Sequence, residues 1–243
     1  DLDRMTRPPS VRRQLPKLPI VSLTCSPHPT YLADNMWSHN CDTAFDDGEL
    51  WSFEELCEKV SAAFENTKSD LLVITGGEPL LQNITPIVDY LNGRRIRVSV
   101  ETAGTVWQEG LEKRFYRSLD QRLDAVPYLH WNDEPRNLMV VSPKTPKINP
   151  RVETAMGALK YIVVAGCLDV EDGLPVYSTQ RADEKQSLYK PTPFIRQQVP
   201  IYLQPCDSHD SKQTEKNTQE AVAACIEYGY LLSLQTHKIV GLP

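Results

Sequence analysis

The sequence predicts an α/β fold of about six mostly parallel strands, arranged as an open partial (βα) barrel or a doubly wound sheet. Three observations carry that expectation. Short, mostly apolar runs recur at 71–75, 97–101, 138–142, 159–164, 200–203 and 231–235; stretches of helical periodicity lie between them; and polar clusters follow five of the runs. Strands buried on both faces read as near-continuous apolar runs. Strands that alternate with helices build parallel sheets through right-handed crossovers. Six strands are too few to close an eight-stranded barrel, so the sheet is expected to stay open.

The helices are signalled by their ends and their spacing. Ser52-Phe53-Glu54-Glu55 forms a capping box, in which the Ser hydroxyl accepts from the third helical amide and Glu55 reaches back. Leu56, Val60 and Phe64 then fall on one face, out to about Lys68. Residues 85–91, 109–123 and 218–228 read as helices too, the last closed by Gly229. The polar stretches 171–199 and 207–217 read as excursions or loops.

Composition sets bounds on function. The 243 residues are 40% hydrophobic and 24% charged, with a formal charge of −6. That balance argues against a nucleic-acid footprint, which needs clustered Lys and Arg. No apolar run approaches the roughly 18–20 residues that span a bilayer, so no membrane segment is expected. Arg4, Arg7, Arg12, Arg13 and Lys17, interspersed with Pro8, Pro9 and Pro16, set residues 1–18 apart as a basic arm before a single domain at 19–243. Six cysteines in a chain of this length read as cytoplasmic thiols rather than a disulfide framework. Cys167, Cys206 and Cys225 are assigned to structure.

The polar clusters at strand ends are the functional signal. They are Thr75-Gly76-Gly77-Glu78-Pro79, Glu101-Thr102-Ala103-Gly104-Thr105, Ser142-Pro143-Lys144, Gln204-Pro205-Cys206-Asp207 and Gln235-Thr236-His237-Lys238. One such cluster is ordinary turn chemistry. Five in register suggest side chains around a common mouth, where open α/β sheets and barrels place their sites. Paired glycines at 76 and 77 let the backbone approach a ligand closely. Glu78 adds a fixed negative charge suited to an amino group. Neither a dinucleotide fingerprint nor a phosphate-binding P-loop is present.

The ordered series from Cys41-Asp42-Thr43 through the glycine-rich cluster to Ser233-Leu234-Gln235-Thr236-His237-Lys238 resembles the 7-carboxy-7-deazaguanine synthase family of radical S-adenosylmethionine enzymes. The resemblance implies an open partial barrel of the radical S-adenosylmethionine type. It implies the conversion of 6-carboxy-5,6,7,8-tetrahydropterin to 7-carboxy-7-deazaguanine and ammonia, in queuosine or other deazapurine biosynthesis. The implied cofactors are a 4Fe–4S cluster held by Cys25 and Cys41, a magnesium ion on Thr43, and S-adenosylmethionine. Gly77 and Glu78 would hold the methionine end of that cofactor, with Ser142 and Gln204 on its ribose or adenine. Thr75, Glu101 and His237 would bind the pterin, and a homodimer is implied as well.

The amino-terminal part departs from the family pattern. Nothing in residues 1–24 matches its QGEG-like loop, and Ser38 stands where the family has a cysteine. A neutral hydroxyl is a poor donor to iron. Two readings therefore stand: a working radical enzyme, and a pseudoenzyme or binding protein that keeps the fold without a complete cluster.

Overall fold

The structure is a computed structural model and describes residues 21–25, 28–34, 51–65, 69–76, 78–115, 137–179 and 187–235. The basic arm at 1–18 lies outside those residues, as do Gly77, Ser38, Cys41, Thr43 and His237.

Among the described residues one sheet of eight strands organises the fold, in the order of the sequence: β1 (Val21–Cys25), β2 (His28–Asp34), β3 (Leu71–Thr75), β4 (Arg97–Thr102), β5 (Leu138–Val141), β6 (Ala158–Val163), β7 (Ile201–Pro205) and β8 (Leu231–Leu232). From β3 to β8 every pairing is parallel, which gives the six expected parallel strands. β1 and β2 add an antiparallel hairpin beside β3 that the apolar runs did not signal.

Strictly sequential order decides between the two sheets the sequence left open. A doubly wound sheet reverses its strand order midway. Here every right-handed crossover advances in one direction, which puts all its connecting helices on one side. The sheet is thus an open section of a (βα) barrel.

Its two faces differ in chemistry, because successive strand residues point to opposite sides. Leu72 and Ile74, Val98 and Val100, Met139 and Val141, Leu159, Tyr161 and Val163, and Ile201 and Leu203 join one apolar core. Packed into that core are Val60 of α1 (Phe53–Glu65), Val88 and Leu91 of α2 (Thr85–Asn92), Val152 of α3 (Pro150–Ala155), Ile195 of α4 (Pro193–Gln198) and Ala221 of α5 (Ser211–Tyr228). The alternate residues, among them Val73, Ser99, Glu101, Val140, Ala158, Lys160, Tyr202 and Gln204, contribute nothing to that cluster.

Local chemistry explains the helix ends. Ser52 and Glu55 form the expected reciprocal cap: the Glu55 amide donates to Ser52 Oγ at 3.2 Å, and the Ser52 amide to Glu55 Oε2 at 2.7 Å. Asn149 and Thr192 cap α3 and α4, each followed by proline at the first helical position. Gly229 ends α5, as its sequence predicted.

Three expectations need correction. Residues 211–217, read as loop, form the first turns of α5. Asp210 starts them by accepting from the amides of Lys212 and Gln213 at 2.9 and 3.0 Å. These turns lack an apolar stripe because they are held by a polar key: fully buried Asn217 accepts from the Ala165 amide at 2.9 Å and donates to the Cys206 carbonyl at 2.8 Å. The helix expected at 109–123 is, over its described part, a single 3-10 turn at Leu111–Lys113. Gly110 precedes that turn with a left-handed backbone. The excursion at 171–199 contains α4, and a salt-bridge network ties it down. Lys190 Nζ lies 2.6 Å from Asp169 and 2.9 Å from Asp172, and Arg196 lies 2.7 Å from Asp172.

Candidate active site

All six parallel strands end on one rim. Ile74 pairs with Val100, so Thr75 and Glu101 follow side by side on adjacent strands. Glu101 pairs with Val140 and Val140 with Ala158, while Ile162 pairs with Gln204. Alternation then puts Thr75, Glu101, Ser142 and Gln204 on the same face and at the same end. This is the polar face, opposite the helices. Ser142 and Gln204 stand two strands apart with Gln204 two residues further along, a separation of roughly 12 Å.

Burial and polarity coincide along this face. Thr75, Ser99, Lys160 and Gln204 are buried polar side chains. Lys160 Nζ lies 2.7 Å from Glu101 Oε2, with side-chain exposures of 8% and 12%. Ser142 continues the ladder through its amide, which donates to the Thr102 carbonyl at 2.8 Å, and Lys144 Nζ reaches its hydroxyl at 3.4 Å.

At the end of β3 the chain turns through Gly76, whose φ of 90° suits a residue without a side chain. Glu78 follows and caps the short 3-10 turn Pro79–Leu81. Its Oε1 accepts from Thr102 Oγ1 at 2.6 Å and from the Leu80 amide at 3.1 Å, and its Oε2 accepts from the Ala103 amide at 2.9 Å. Burial pushes the Glu78 carboxyl above its ordinary range, against the pull of those three donors. The side chain thus staples the loop after β3 to the end of β4. Three of about four lone-pair positions are used, leaving one on Oε2. Gly104 belongs to the same corner. It has φ 81°, and a Cβ there would meet Val141 Cγ1 at 2.8 Å.

The last strand brings two further polar groups. The Ser233 amide donates to the Leu203 carbonyl at 2.9 Å, which sets Ser233 level with Gln204. Ser233 Oγ and Gln235 Nε2 are buried without a hydrogen-bond partner. Orphaned polar atoms of this kind in a folded interior call for an explanation, and a bound ligand is one.

Sequence reasoning missed Lys160 and Ser99 and gave no role to Ser233 or Gln235. The signal for Lys160 is a charge in the middle of Ala-Leu-Lys-Tyr-Ile-Val, where packing alone asks for an apolar residue.

Metal binding rests on few described residues. Cys25 ends β1, which runs parallel to β3 through the hairpin, so its backbone reaches the same rim. Among the described residues no three His, Cys, Asp or Glu side chains gather as a metal cage. Cys57, within α1, is buried in the apolar core, where burial pushes its thiol up and away from the thiolate that iron needs. A cleft of about 450 Å³ lies elsewhere, at the amino ends of β7 and β8, lined by Asp172, Arg196, Pro200, Tyr230 and Leu231. Within it Arg196 and Asp172 pair with each other at 2.7 Å. No described helix is long and apolar enough to cross a membrane.

The chain is 32% identical over 210 residues to a 7-carboxy-7-deazaguanine synthase of Rhodospirillum rubrum, covering 83% of this chain and 77% of that protein. The chain belongs to the 7-carboxy-7-deazaguanine synthase family. A Rickettsia prowazekii 7-carboxy-7-deazaguanine synthase is 29% identical over 217 residues, covering 86% of this chain and 76% of its own length. The crystal structure of QueE from Escherichia coli overlays with a TM-score of 0.43 at 19% identity, covering 74% of this chain and 63% of that one. No family model matches. Membership of this enzyme family rests on the sequence relatives.

Proposed function

We propose that the chain performs its family's reaction, the radical rearrangement of 6-carboxy-5,6,7,8-tetrahydropterin to 7-carboxy-7-deazaguanine with loss of ammonia. The observation that supports this reading most is the polar face beneath the carboxyl rim. There Thr75 and Glu101 stand side by side, level with the start of the arc that leads to Ser142, Gln204 and the unpaired Ser233.

In this reading Glu101 accepts from the N–H edge of the pterin ring, and Thr75 and His237 bond its other polar atoms. Glu78, held by three donors, meets the ammonium of S-adenosylmethionine beside Gly77. Ser142 and Gln204, roughly 12 Å apart, span its ribose and adenine. Cys25 and Cys41 are the proposed iron ligands and Thr43 the magnesium ligand. The cofactor supplies the radical, and the protein supplies orientation and exclusion of water. A homodimer in the cytoplasm completes the proposal.

Ser38 in place of a cysteine favours a second reading, a binding protein with the same face and an incomplete cluster. Anaerobic reconstitution, followed by measurement of 5′-deoxyadenosine, separates the two. The enzyme reading expects reductive cleavage of S-adenosylmethionine by the unaltered chain. Cleavage only after Ser38→Cys would establish the second.

A further inference from the structure

We infer that Lys160 is a positioning residue of the substrate site, which holds the Glu101 carboxylate aimed across the polar face; this rests on the function proposed above. The ion pair is short, at 2.7 Å, and nearly closed to solvent. Removing two charges from water costs more than their attraction commonly returns, so apolar residues of similar volume would serve the sheet as well or better. The strand itself shows the alternative: Leu159 and Tyr161, on either side of Lys160, are apolar and fully packed against the helices. Nor is the pair a surface decoration like Arg97–Asp70, whose carboxylate is 44% exposed.

The pair's placement gives it a use. Glu101 stands beside Thr75 at the rim, and Lys160 reaches it from two strands away, across β5. The aminopyrimidinone edge of a pterin presents adjacent N–H donors, and an ionised carboxylate accepts two in parallel, which a protonated acid cannot. Lys160, bonded to one oxygen of that carboxylate, therefore sets how the acceptor pair is presented to the ring. The hydrogen bond uses one of three ammonium donors and leaves the others free to bond a ligand.

The test is titration of the full chain with 6-carboxypterin, read by the fluorescence of the ring, alongside thermal midpoints. Lys160→Met is expected to weaken binding about tenfold or more, the loss expected for hydrogen bonds to a charged group. Lys160→Arg should recover most of it. Because Lys160→Met leaves a buried charge unpaired and can impair folding, the paired variant Glu101→Met with Lys160→Met is measured too. It should regain the thermal midpoint and bind no better than Glu101→Met alone. Wild-type affinity in either Lys160→Met or the paired variant would overturn the inference alone. Failure of the unaltered chain to bind 6-carboxypterin would overturn the proposed function and this inference with it.

Discussion

Leu159 and Lys160 are neighbours in β6 and serve opposite faces of one sheet. Leu159 is fully buried against the helices, in a cluster with Val141, Val163 and Leu203. Lys160 points the other way, to an ion pair that no packing requirement explains. The same contrast holds in β4, where Val98 and Val100 pack and Ser99 and Glu101 do not. A period of two lets a single strand stabilise the fold with one set of residues and hold unfavourable buried charge with the other. The helix face supplies the stability that the polar face draws on.

The largest expected effect is on the helix face. Leu159→Ala should lower unfolding free energy by about 2–5 kcal/mol, because a buried leucine leaves a cavity as well as lost transfer energy. Chemical denaturation measures that loss. Affinity of the folded protein for 6-carboxypterin should not change, and a matching fall in affinity would show that the two faces are not separable.

Glu78 comes next, because it joins the two. Its partner Thr102 lies on the helix side of β4, while the carboxylate stands at the rim. Glu78→Gln should cost about 1–3 kcal/mol, since an amide cannot accept from all three donors. Burial raises this carboxyl from its ordinary 4.5, so its contribution is full below pH 4.5 and is lost as pH rises through the raised value. The Gln variant should lack that decline, and stability measured between pH 4 and 7 would reveal it. A decline of the same size in both proteins would assign it elsewhere.

A smaller effect, outside both faces, concerns the excursion. Hydrogen bonds from Lys190 and Arg196 hold the Asp172 carboxyl below its ordinary 3.8, although burial opposes them. Its contribution is therefore full above pH 3.8 and is lost as pH falls through the lowered value. Asp172→Asn should give a protein less stable at neutral pH and flatter on the acid side. Acid unfolding followed by circular dichroism checks this, and an unchanged acid limb would remove Asp172 from the account.

The sequence made the parallel strands legible because each is a short apolar run, and the capping box because its two hydrogen bonds are local. It hid the start of α5, where Asp210 and Asn217 do the work of an apolar stripe. It hid β1 and β2, whose residues belong to a sheet only through pairing with β3. Thr75, Glu78, Glu101, Ser142 and Gln204 were legible as one rim because polar residues at the ends of parallel strands must converge. Lys160 was not, since a charge within an apolar run cannot be given a face until its register with β5 and β7 is known.

The unbroken order of the strands bears on how the chain is made. Every strand pairs with its immediate predecessor, from β1 to β8. During synthesis each new strand and helix can dock on a finished neighbour as it leaves the ribosome, without waiting for a partner yet to be translated. Because each closure joins strands adjacent in sequence, the entropy of each step stays modest, and the apolar side of each strand can be covered soon after it forms. In a doubly wound sheet the first strand lies inside, and one of its flanks stays unpaired until the chain has crossed back. Here a ribosome that stalled late would release a shorter version of the same sheet, lacking its last rung.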